Sequence, residues 1–220
     1  MKIEGICKKY KNKVVLNEVS LSLDKGTSIA ILGGNGSGKS TFLSILAGVQ
    51  KADKGTIFLE GQDLLKNKKL RQKLVGYVPQ GNPLFEELTA WDNLRLWYDK
   101  SELKKELLDG TLSMLGIDTF INVPVYKMSG GMKKRLSIGC SVANKPQILL
   151  LDEPSAALDL ICKENIYNYI QKMKKEGKRI LLATHEIAEI ELCDRCYILK
   201  DGVLIPYQYN GNRSHLIQYL

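Results

Sequence analysis

No stretch of the chain approaches the roughly 18 consecutive apolar residues that cross a bilayer, so a membrane-spanning helix is not expected. The opening Met1-Lys2-Ile3-Glu4-Gly5 lacks the apolar core of a signal peptide. Lipid anchors are missing too: Lys2 stands where myristoylation needs glycine, and Ile217 to Leu220 offer no cysteine to prenylate. These absences predict a chain that stays in the cytoplasm unless a partner tethers it. Aromatic residues are scarce, at 7%. They do not interleave the lysine clusters at Lys66–Lys73, Lys104-Lys105, Lys133–Arg135 and Lys172–Lys178, as a nucleic-acid groove requires. The net charge of +8 therefore reads as a solvated lysine surface, and no nucleic-acid partner is expected. The five cysteines are odd in number. Only Cys193 and Cys196 have a suggestive spacing, and without a second pair or a histidine pair they are weak evidence for zinc. All five read as reduced thiols. Internal repeats, low-complexity tracts and long linkers are also missing.

What is present is ordinary globular material with three unusual stretches. At 220 residues the chain suits one large domain, able to bury about 70–75% of its unfolded surface without a disulfide. The first unusual stretch is Gly33-Gly34-Asn35-Gly36-Ser37-Gly38-Lys39-Ser40-Thr41. It follows the apolar run Ile29–Leu32 and precedes the apolar stretch Phe42–Leu46, the strand–loop–helix setting that a phosphate-binding loop requires. Glycines let the backbone curl so that its N–H groups face phosphate oxygens, and the helix N-terminus adds partial positive charge. Lys39 is then expected to reach the β- and γ-phosphates and Ser40 to ligate Mg²⁺.

The second stretch is Ile148–Leu151 followed by Asp152-Glu153. A carboxylate ending a buried strand, in a chain with a phosphate loop, is the other half of such a site: Asp152 for Mg²⁺ and Glu153 to polarise an attacking water. The third is Ser129-Gly130-Gly131-Met132, where Ser129 suits a helix N-cap and two glycines leave N–H groups open to an anion. On its own residues this stretch is equally a second phosphate-binding helix end or merely a capped helix.

Around these motifs the apolar pattern alternates strands and helices. Ile3–Leu23 reads as a β-hairpin, Gly55–Leu59 and Leu74–Val78 as short strands, and Ile180–Ala183 as a fully buried strand. Helices are expected at Leu160–Lys175 and from Glu186, with a terminal hairpin around Asp201-Gly202. Between Gly81 and Lys127 branched strand residues disappear, and Trp91–Tyr98 and Glu102–Leu115 have helical spacing, stopped by Gly116. The fold class is thus α/β: a P-loop NTPase core with a central, mostly parallel sheet, an antiparallel β subdomain and an inserted helical subdomain. The expected division is one domain over 1–220, with a catalytic core at 1–80 and 128–220 and the helical subdomain at 81–127.

Gly33–Thr41, Gln80, Ser129–Met132, Asp152-Glu153-Pro154, Ala157-Leu158-Asp159 and His185 occur in the order of an ABC transporter ATP-binding subunit. The resemblance runs from Tyr10 to about Ile205. It implies that ATP and Mg²⁺ are bound, with Tyr10 stacking on adenine and Gln80 touching Mg²⁺ and the attacking water. It implies that His185 contacts the γ-phosphate. Ser129, Gly130 and Gly131 would bind the ATP held by an opposite subunit, and Asp159 would touch across that interface, so that two chains sandwich two ATP molecules. Met128, Met132 and Ala157 depart from the family's usual Leu, Gln and Gly. The run Ser-Gly-Gly-Met-Lys-Lys-Arg-Leu resembles ABC-2-type exporters more than importers. The implied function is an ATPase engine on the cytoplasmic face of the cell membrane, driving transmembrane permease subunits on separate chains as a homodimer or heterodimer. The alternative is a soluble ABC-type ATPase acting on nucleic acid or ribosomes. The exposed part of Phe85, Leu88, Trp91, Leu94 and Trp97 is expected to form a groove for a permease helix.

Overall fold

The computed structural model describes residues 1–219; Leu220, the end of the expected catalytic segment 128–220, lies outside the described residues. Strands β1 (Lys2–Tyr10) and β2 (Lys13–Ser22) form the expected hairpin. Ile3, Ile6, Leu16, Val19 and Leu21 are buried from it; Ile3 and Ile6, like Leu16 and Val19, are an odd number apart, and the register shifts between Ile3 and Ile6 and between Ile6 and Lys8 interrupt strict alternation. β3 (Ser28–Leu32) is buried throughout and runs into the glycine loop and α1 (Lys39–Ala47). β4 (Lys54–Leu59) pairs antiparallel with β1, and β5 (Gln62–Asp63) adds a short edge, giving the sheet order β2-β1-β4-β5.

α2 (Lys68–Leu74) leads into β6 (Val75–Val78). The insertion follows, with α3 (Ala90–Arg95), α4 (Lys100–Asp109), α5 (Thr111–Met114) and 3₁₀ turns at Asp118–Phe120 and Val125–Lys127. Then come α6 (Gly130–Ser141), β7 (Ile148–Asp152), α7 (Leu160–Lys175), β8 (Arg179–Ala183), α8 (Ile187–Leu192), β9 (Arg195–Lys200), β10 (Val203–Tyr207) and α9 (Arg213–Tyr219). The second sheet has the order β10-β9-β3-β8-β7-β6. It is parallel except for β10, whose tight turn from β9 at Asp201-Gly202 forces an antiparallel pairing.

β7 and β8 divide the core between two layers. Ile148 and Leu150, with Leu181 and Ala183, face a cluster that also holds Phe42, Leu43 and the hairpin residues. Leu149 and Leu151, with Ile180 and Leu182, face the other cluster, which includes Leu94, Leu103 and Leu112 of the insertion. The insertion therefore shares a core with the central sheet. Each large apolar side chain so buried contributes about 1.5–3 kcal/mol against exposure. Gly139 of α6 allows the closest approach: a Cβ there would lie 2.8 Å from Leu112 and 2.9 Å from Ile117.

Two local expectations are corrected. The helix expected over Glu102–Leu115 is broken at Gly110, where the Glu106 carboxylate accepts from the Thr111 N–H at 2.7 Å and starts a separate turn. Leu74 ends α2 instead of opening a strand. Neither α2 nor α9 carries an apolar stripe strong enough to announce it.

Candidate nucleotide site

The glycine loop sits at the C-terminal end of β3, between that strand and α1. Gly33 and Gly38 take φ of 150° and 110°. A Cβ at Gly33 would stand 2.5 Å from the Leu199 carbonyl oxygen, and one at Gly38 would meet Val15 at 2.9 Å. Only glycine fits either position. Gly38 offers no side-chain cap, and α1 has no acidic residue in its first turn, so its N-terminal charge is left uncompensated. Asn35, Gly36, Ser37, Gly38, Lys39, Ser40 and Thr41 line a cleft with Gln80, Glu153 and Val15. Val15 reaches it from β2, a placement that nothing in the sequence signals.

Lys39 is 6% exposed. Its Nζ donates to the carbonyls of Gly33 at 2.6 Å and Gly34 at 3.2 Å, and lies 3.1 Å from His185 Nε2. Burial lowers the Lys39 pKa, opposed by the Glu153 and Asp152 carboxylates. Burial and the Lys39 charge hold His185 below the usual imidazole range. A neutral ring facing an ammonium accepts through Nε2, which leaves the proton on Nδ1. His185 Nε2 is also 3.5 Å from Glu153 Oε1, and Gln80 Nε2 donates to Glu153 Oε2 at 3.0 Å. The ends of β6, β7 and β8 thus bring Gln80, Glu153 and His185 together around Lys39, although Lys39 and His185 are 146 positions apart.

Asp152 is 2% exposed at the end of β7. Burial raises its carboxyl pKa, while a hydrogen bond with Ser40 and the Lys39 charge lower it. The Ser40 hydroxyl bonds to the Asp152 carboxylate, and Gln80 lines the same cleft as Ser40; their oxygens are of the kind a hard divalent cation takes. Ser37 Oγ is buried without a partner, and the space a Gly36 side chain would fill is open. The residues therefore fit a magnesium–triphosphate group.

The remaining sequence candidates lie elsewhere. Tyr10 is half-exposed at the end of β1, away from the residues lining the cleft, and its hydroxyl donates to Gln50 Oε1. Ser129 caps α6, accepting from the Met132 N–H at 3.2 Å, with Ser129 and Gly130 exposed. Gly131 is buried against α7, where a Cβ would come within 2.5 Å of Cys162 Sγ. Asp159 caps α7 through the Cys162 N–H at 2.8 Å. Met132 packs against the core and Ala157 holds φ at 57°.

Residues 16–156 match the ABC transporter family. The chain belongs to the ABC transporter family. The lantibiotic transport ATP-binding protein SrtF of Streptococcus pyogenes is 32% identical over 97% of this chain and 93% of its own length. The Nod factor export ATP-binding protein I of Sinorhizobium fredii is 33% identical over 92% of this chain, which spans 60% of that relative. Among solved structures, the dimeric post-hydrolysis state of the ATP-binding cassette MJ0796, bound to ADP and Pi, superposes with a TM-score of 0.83. It is 30% identical, covering 92% of this chain and 95% of that one. This ABC chain is accordingly an ATP-binding and ATP-hydrolysing cassette of a membrane transporter. Its relatives give no support to the alternative of an ATPase for nucleic acid or ribosomes. Among the described residues of the cassette, no helix is long and apolar enough to cross a membrane.

Proposed function

We propose that this cassette closes as a pair of chains on two ATP molecules, hydrolyses them, and passes the motion to transmembrane permease subunits on separate chains. The cassette then works as a peripheral subunit at the cytoplasmic face of the cell membrane. The observation that carries the reading is the convergence of Gln80, Glu153 and His185 on Lys39 beside a loop shaped for phosphate. Gly33–Thr41 would cradle the phosphates, with Lys39 turning from its carbonyl partners toward the β- and γ-phosphates. Ser40, Asp152 and Gln80 would hold Mg²⁺, which supplies charge neutralisation for the transferring phosphoryl group. Glu153 is the base for the attacking water, held by Gln80, and His185 is the contact to the γ-phosphate. Tyr10 stacks on adenine. Ser129, Gly130 and Gly131, at a helix end free of acidic residues, face the nucleotide of the opposite chain, and Asp159 meets that chain beside them. The word export in the Nod factor relative's name and the Ser-Gly-Gly-Met run favour an exporter.

The test is Glu153→Gln. It keeps shape and ATP binding but removes the base, so hydrolysis is expected to slow by about 10²–10⁴-fold. ATP-bound dimer should then accumulate on size exclusion. An unchanged rate of phosphate release excludes Glu153 as base. No ATP-dependent change in mass excludes the paired arrangement.

A further inference from the structure

α6 is fastened at two points to the strand that leads to Gln80. Ser141 Oγ donates to the Tyr77 carbonyl at 2.9 Å. Seven residues earlier on α6, Lys134 Nζ donates to the carbonyls of Pro79 at 3.0 Å and of Gln80 at 2.8 Å. Lys134 is only 4% exposed. A buried ammonium is costly unless it is fully hydrogen-bonded, and this one donates to main-chain carbonyls, with the Asp152, Glu153 and Glu189 carboxylates at longer range.

The carbonyls explain why a lysine is there. The pairing of β6 with β7 ends at Val78 and Leu151, so the acceptors of Pro79 and Gln80 have no strand neighbour. Pro79 is half-buried and Gln80 exposed, so these carbonyls sit at the boundary of the core, where a main-chain acceptor without a strand partner is met by a side chain or by water. An ammonium is donor-only, with three N–H groups, and can serve both. The neighbouring Lys133 instead reaches the surface, pairing with Glu86 at 3.2 Å.

The chain of contacts continues on both sides. Toward the N-terminus of α6 lie the exposed Ser129 and Gly130, five and four residues before Lys134 at the start of the same helix. Beyond the clasp, the Gln80 side chain donates to Glu153 at 3.0 Å. In the paired arrangement, the α6 end faces the other chain's nucleotide while Glu153 faces its own. We infer that Lys134 is a positioning residue that couples the two nucleotide sites: it fixes the Gln80 backbone to α6, so that engagement of the partner's nucleotide sets the Gln80–Glu153 pair. This inference rests on the paired reading above, because only pairing brings a nucleotide to the α6 end.

The test compares wild type, Lys134→Met and Lys134→Arg in steady-state hydrolysis across ATP concentrations. Melting temperature and fluorescent-nucleotide affinity are measured alongside. Lys134→Met keeps the aliphatic stem and donates to neither carbonyl. Its kcat is expected to fall about tenfold or more, with nucleotide affinity changed less than about threefold and the Hill coefficient reduced toward one. Lys134→Arg keeps the donors and is expected to recover most of kcat. Where Lys134→Met does not fold, Lys134→Ala, which admits water at the two carbonyls and removes the direct tie, is expected to show the same split. Wild-type kcat in the Met or Ala variant overturns the proposal, as does a fall in kcat matched by an equal loss of affinity, or an Arg variant no better than Met. ATP-driven dimerisation of Glu153→Gln reads the paired arrangement separately. If that dimer fails to form while Lys134→Met still splits kcat from affinity, the pairing is wrong and the cross-site role falls with it. If the dimer forms and the split is absent, pairing stands and only the role of Lys134 falls.

Discussion

Glu153 and Ala157 both hold left-handed backbone, at φ 48° and 57°, in the loop that follows β7. For Glu153 the conformation turns the chain out of the sheet where its N–H still donates to the Ala183 carbonyl at 2.8 Å, so the carboxylate's place is set by main chain as well as by rotamer. Ala157 gains no such contact through its side chain, and it is exposed. Left-handed backbone costs a non-glycine residue about 1–2 kcal/mol, whereas glycine costs about 0.4–1 kcal/mol through the freer unfolded chain. Ala157→Gly should therefore stabilise the cassette by about 0.5–1 kcal/mol, read as a higher urea midpoint with an unchanged slope. A lower midpoint would show that Ala157 is unstrained. At this scale the sequence was legible where a motif names the residue, as at Lys39, Ser40 and Asp152. It was silent on Lys134 and Val15, whose contacts depend on segments distant in the chain. The departure at Ala157 was visible, but its strained backbone needed the loop geometry.

The ends of α1 and α6 differ from those of the insertion. α3 and α4 carry acids in their first turns, Asp92 and Glu102, which satisfy the positive end of each helix internally. α1 and α6 have none, so the positive end of each is left without an internal carboxylate. Ser129→Arg should leave the chain's own phosphate loop, and so single-chain ATP binding, intact. If the proposed pairing holds, it should abolish ATP-driven dimerisation and hydrolysis, because a bulky cation would then occupy the phosphate site of the opposite chain. Dimerisation of this variant at wild-type ATP concentrations would remove α6 from the interface. Elements with continuous apolar runs, β3, β7 and β8, were readable because a strand buried on both faces leaves no other pattern. α2 was not, since Lys68–Leu74 is mostly lysine, arginine and glutamine, with Arg71 buried beneath Gly48 in place of an apolar face. The break at Gly110 was hidden because leucine spacing runs through it and only the Glu106 carboxylate reveals a new helix start.

For the whole molecule, the surface between the insertion and the central sheet is where the permease is expected. Of the five residues singled out there, Leu94 is fully buried, Leu88 and Trp91 are half-buried, and Phe85 and Trp97 are exposed at 62% and 59%. Trp97 borders a groove with Pro83, Leu84, Cys140 and Asn144. An apolar groove is a common seat for a helix. Phe85→Ser and Trp97→Ser should therefore lose co-purification with a multi-span permease from detergent-solubilised membranes, with ATP affinity unchanged. Retention of the permease by the double variant would place its seat elsewhere. The order of the motifs made the architecture legible, because each motif marks the end of a strand or the start of a helix. The sharing of one core between insertion and sheet was not legible, since periodicity shows that a helix has an apolar face and not what covers it. That shared core has a mechanical consequence. At Gly139 the side chains of Leu112 and Ile117 from the insertion pack directly on the bare α6 backbone, and Tyr98 Oη donates to the Gly139 carbonyl at 2.9 Å. Protein interiors are close-packed and poorly compressible, so this joint is stiff: a displacement of the insertion is expected to be carried to α6 with little lost to soft deformation.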